Sequence, residues 1–81
     1  MSLAELHQLL TAVEAGLADA RAHSERATSL LGEARQALVD AQAKADPWLP
    51  SQYAQAGEGL DQLLGRLASA EDLVSGYRSR L

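Results

Sequence analysis

The chain has 81 residues with no Cys and no Phe, so it holds one domain (1–81) near the size where a single core is marginal, and neither disulfides nor thiolate-bound metal can staple it. Leu and Ala supply most of its 47% apolar content, which suits close helix–helix packing and argues against a sandwich or barrel. Its net charge of −4, with the basic residues scattered rather than run together, argues against nucleic acid as a partner.

The N-terminal Met1-Ser2-Leu3-Ala4-Glu5 lacks the basic start of a signal peptide. No window approaches the ~18 consecutive apolar residues of a membrane span. The expectation is a cytoplasmically made protein, with export by a route independent of signal peptides left open.

Ser2-Leu3-Ala4-Glu5 has the form of a capping box, so a helix should begin at once. Apolar or small residues then recur at Leu3, Leu6, Leu10, Val13, Leu17, Ala20, Ser24, Ala27, Leu31, Ala34, Leu38, Ala41 and Ala45. The spacing alternates three and four without a slip, as in a heptad seam. No proline interrupts it, and Gly16 and Gly32 are its weak points, each costing about 1 kcal/mol against Ala. One helix over about 3–45 follows. An alternative is a break near His23-Ser24-Glu25, where Ser24 would cap a new helix and give a three-helix bundle. The segment holds no Gly or Pro, and the heptad phase runs straight through it.

Asp46-Pro47-Trp48-Leu49-Pro50-Ser51 contains both prolines and the lone tryptophan, and reads as the turn of a hairpin. Trp48 has two readings there: a lid packed on Leu49 and Tyr53, or an exposed anchor for a partner. Beyond it Ser51 can serve as N-cap to a second helix over about 52–80. That helix has its own seam at Tyr53, Ala56, Leu60, Leu63, Leu67, Ala70, Val74, Tyr77 and Leu81.

Folded antiparallel, the seams match with Ala41 facing Leu60, Leu38 facing Leu63, Leu31 facing Ala70 and Ser24 facing Tyr77, small residues mostly set against large ones. This register leaves Leu3, Leu6, Leu9, Leu10, Val13 and Leu17 beyond the end of the second helix. Leu30, Leu64 and Leu73 flank the seam and widen the apolar stripe. Burying a leucine is worth about 1.5–3 kcal/mol, so this surface is expected to be an interface. The fold expected is therefore an all-α antiparallel two-helix hairpin that dimerises into a four-helix bundle.

Chemistry is sparse along the sequence. His7 and His23 lie sixteen residues apart, unlike metal ligands on one helix face. Glu71-Asp72 and Glu58 with Asp61 read as solvated acids, and Gly57-Glu58-Gly59 lacks the Lys of a phosphate loop. Asp40 with Lys44, Arg21 with Glu25 and Asp19 with His23 have the spacing of pairs one helical turn apart. Arg78-Ser79-Arg80 complements the dipole of the second helix and could touch an acidic partner. No catalytic, metal-binding or cofactor-binding residue is expected, and the function read from the sequence is a non-enzymatic interaction module.

A small, cysteine-free, acidic helical hairpin with Trp48 in its turn resembles the Trp-x-Gly family exported by type VII (ESX-like) secretion. Here Trp48 is followed by Leu49-Pro50 rather than by a glycine two residues on. The C-terminal Tyr-x-x-x-Asp/Glu signal of that family has no counterpart in Tyr77-Arg78-Ser79-Arg80-Leu81. The Ala-rich composition with more Arg than Lys also looks actinobacterial, and similar to short helical proteins accompanying polymorphic toxins. The resemblance implies a self-associating partner, adaptor, chaperone or delivery module for a larger protein.

Overall fold

A computed structural model describes all residues, Met1–Leu81. Two helices account for the fold: α1, Leu3–Gln42, and α2, Ser51–Ser79, joined by residues 43–50 into an antiparallel hairpin. It forms a rod with extents of 62 × 15 × 14 Å, whose length is that of the 40-residue α1 at 1.5 Å per residue. No helix is long and apolar enough to cross a membrane.

The start of α1 follows its cap. Ser2 is extended, and its hydroxyl accepts from the Glu5 backbone N–H at 3.1 Å. The helix then continues without a break through the 23–25 segment, so the three-helix alternative does not occur. Ser24 does not start a helix. It lies inside α1, donates its hydroxyl to the Ala20 carbonyl at 2.8 Å, and accepts at its own carbonyl from Thr28. A hydroxyl satisfied within its own helix can be buried at little cost, and Ser24 is buried, 6% exposed.

The helix ends three residues earlier than its heptads imply. Ala43 adopts the left-handed conformation, φ 50° and ψ 37°, which stops α1 at Gln42. The Gln42 side-chain amide then spans the turn. Its Oε1 accepts from the Trp48 N–H at 2.8 Å, while Nε2 donates to the carbonyls of Trp48 and Leu38. Lys44 thus falls outside the helix, and its expected pair with Asp40 does not form; Asp40 accepts from Gln36 instead. Ser51 is the first residue of α2 rather than its cap, and Pro50 occupies the cap position without a side-chain bond. Proline suits this boundary because its ring fixes φ, −57° here, at a value close to the helical one, and its carbonyl accepts from the Tyr53 N–H at 3.1 Å.

The register differs from the heptad match. Arg21 bonds Glu71 at 3.4 Å and Leu31 shares a cleft with Tyr53, whereas the sequence register sets Leu31 against Ala70. Arg78 reaches Glu14, Thr11 and the His7 carbonyl. Because α1 ends at Gln42 and α2 starts at Ser51, pairing Ala41 with Leu60 would leave the first turns of α2 without a partner helix. Starting α2 at Ser51 instead brings its last turns alongside residues 7–14. The unpaired part of α1 shrinks to its first turn, and Leu10 and Leu17, expected to overhang freely, are half-buried against α2.

Candidate protein-interaction surface

The helices meet along one line on each. On α1 this line follows Leu10, Leu17, Ser24, Leu31 and Leu38, and on α2 it follows Tyr53, Leu60, Leu67 and Val74. Residues three or four positions away lie about 40–60° round the helix, on one flank of the line or the other. The two flanks differ in chemistry.

One flank is closed by charge. Glu14 and Arg21 on α1 meet Arg78 and Glu71 on α2, and the Arg78 guanidinium also donates to Thr11 Oγ1 at 2.7 Å. Arg21 therefore pairs across the hairpin rather than with Glu25. Glu71 and Arg78 are half-buried on this flank, and Ala70 stays half-buried as expected, whereas Tyr77 is exposed.

Because Glu71 and Arg78 sit on the same side as Arg21 and Glu14, the opposite flanks of the two helices also share a side. That side is apolar and open. On α1 it carries Leu9, Val13 and Leu30; on α2 it carries Ala56, Leu63 and Tyr77, with Leu73 beyond them at 73% exposure. The sequence placed Leu63 and Tyr77 inside the seam, Tyr77 against Ser24. Rotation of α2 toward Gly57, Leu64, Glu71 and Arg78 moves both outward, to 43% and 45% exposure. Of the residues expected at an interface, Leu3, Leu9, Val13, Leu30 and Leu73 are exposed, whereas Leu6, Leu10, Leu17 and Leu64 are half-buried.

At the tip, Trp48 is 67% exposed, so its indole is no lid over Leu49 and Tyr53. Its backbone is nevertheless fixed by both arms of the Gln42 amide. Beside the turn an open cleft of about 480 Å³ runs between Leu31 and Arg35 of α1 and Leu49, Pro50 and Tyr53.

The histidines and acids are spread along the rod. His7 is half-buried with its Nε2 unpartnered, while His23 is exposed sixteen residues away. An open groove of about 400 Å³ lies between Glu14, Glu71 and Asp72, but Arg78 and Arg21 engage the two glutamates. No three of the His, Asp and Glu side chains are grouped to hold a metal ion. Gly57-Glu58-Gly59 is part of α2 and forms no loop. The chain matches no protein-family model, no curated protein and no solved structure.

Proposed function

We propose that this chain is a non-enzymatic protein–protein interaction module, a self-associating helical hairpin that serves a larger protein as adaptor, chaperone or delivery partner. The observation that carries the reading is the open apolar face. No apolar side chain of the hairpin is buried, although burial of such groups is the main favourable term in folding. A contiguous apolar face bordered by charge is what protein interfaces leave exposed when their partner is absent. Trp48, held out at the tip on a fixed backbone, supplies a second contact point of the type that anchors partners.

A link to type VII secretion or to a toxin system rests on the hairpin outline and the tryptophan in its turn, and on nothing finer. Affinity capture from the native host tests the client role, comparing the wild type with Trp48→Ala and with Leu9→Glu/Leu73→Glu. A client retained by the wild type and lost from either variant supports it. Recovery of the chain alone, in all three, would leave an oligomeric building block without a client.

A further inference from the structure

We infer that the open face is covered by a second copy of this chain, related by a two-fold axis along the rod, so that α1 of each copy lies against α2 of the other and both turns share one end. This rests on the self-association proposed above and fixes its geometry.

The first support is area. The hairpin exposes 5970 Å², whereas a compact protein of 8.6 kDa exposes about 4,700 Å². The excess, about 1,300 Å², exceeds the ~800 Å² that each partner contributes to a standard interface. Its radius of gyration of 18.7 Å, against about 12 Å for a compact chain of this length, describes the same deficit of packing. One rod of equal length laid on the open face removes it for both copies. A small ligand would cover only a fraction of such a face.

The second support is charge, and it selects the arrangement. The border of the open face along α1 is acidic, with Glu5, Asp19, Glu33 and Asp40 against a single Arg26. The border along α2 carries Arg66 and Arg80, and neither arginine has an ion-pair partner within the chain. Rotation about the rod axis keeps every residue at its own height and exchanges α1 for α2 across the interface. Heights follow from Arg78 reaching the His7 carbonyl and from Tyr53 sharing a cleft with Leu31. At these heights Arg80 lies level with Glu5 and Arg66 level with Asp19, so both arginines on the α2 border of each copy meet an acid of the other. A two-fold axis across the rod would instead set α1 against α1 and α2 against α2, and the border of α2 offers neither Arg66 nor Arg80 an acid. Charges left without a partner at an interface disfavour that alternative.

The chain has no cysteine, so Lys44→Cys, exposed beside the turn, gives a single attachment point for a spin label. With both turns at one end, pulsed dipolar spectroscopy on the labelled full chain reads a distance within about 30 Å, set by the width of four packed helices and the tethers. A dimer whose labels lie near the 62 Å length of the rod overturns this arrangement while leaving self-association standing. A monomer by mass, with no dipolar coupling, overturns self-association itself. As a second readout, Arg66→Glu raises the dimer dissociation constant about fivefold, and adding Asp19→Arg to the same chain restores it. An unchanged constant in Arg66→Glu contradicts the pairing.

Discussion

Arg78, in the last turn of α2, pairs with Glu14 of α1 and also donates to Thr11 Oγ1 and to the His7 carbonyl. One guanidinium thereby ties the end of α2 to three successive sites on α1 and fixes how far the two helices overlap. Only the forked, five-donor arginine can make these contacts together.

Arg78→Ala should therefore loosen the open end of the rod. Its groups are a third exposed, so the expected cost is about 1–2 kcal/mol. Hydrogen exchange would locate the loss, with amides after Ala70 and before Glu14 exchanging faster than those near mid-rod. Arg78→Lys should recover less than half of it, since an ammonium cannot reach all three acceptors. Equal exchange in both variants and the wild type would show that the clamp does not hold the end.

At the other end, Gln42→Ala removes the amide that holds Trp48. The expected cost in urea unfolding is about 1–2 kcal/mol. Tryptophan fluorescence anisotropy should fall in the folded protein, because the turn gains freedom once its backbone is no longer clipped. Gln42→Glu keeps one acceptor for the Trp48 N–H and should lie between the two.

Ser24 separates packing from polarity. Its hydroxyl bonds only within α1, so Ser24→Ala should change stability by less than about 0.5 kcal/mol. Ser24→Leu inserts bulk at the one buried position and should cost about 1–3 kcal/mol by forcing the helices apart. Thermal unfolding of the pair gives the comparison directly.

Gly32 and Gly65 lie within helices, with nothing near the place where a Cβ would stand. Gly→Ala at either should stabilise by about 0.5–1 kcal/mol, raising the melting temperature by several degrees. Both lie away from the open face, so neither should alter association.

These expectations also mark what the sequence made legible. The start of α1 could be read because Ser2 and Glu5 stand at capping distance, and the continuity of α1 because its heptads pass unbroken through Ser24. The middle of the α1 seam could be read, from Leu17 through Ala20, Ser24, Ala27 and Leu31, whereas Leu3, Val13, Ala34, Ala41 and Ala45 of the same pattern are exposed. The register could not. A heptad pattern matches itself after a slip of seven residues, so small-against-large layers fit several overlaps equally well. The deciding features are the end of α1 at Gln42 and the Arg78 clamp. The end of α1 was equally hidden, because nothing in Ala43 announces a left-handed residue, and only the Gln42 bonds to Trp48 account for it.

The face of α2 was misread for a related reason. Apolar pattern alone favours Leu63 and Tyr77 over Glu71 and Arg78 as seam residues. The charged pair wins because each partner finds its opposite across the hairpin. Of the residues expected at an interface, Leu3, Leu9, Val13, Leu30 and Leu73 therefore stay exposed, Leu6, Leu10, Leu17 and Leu64 are half-buried, and Leu63 and Tyr77 join the open face.

Sedimentation equilibrium of the full chain, from low to high micromolar concentration, tests the central claim most directly. The open face predicts a mass of twice 8.6 kDa, reverting to the single-chain mass in Leu30→Glu/Leu63→Glu. A wild-type chain that stays at 8.6 kDa at high micromolar concentration, with the helix content of the folded hairpin, would contradict it.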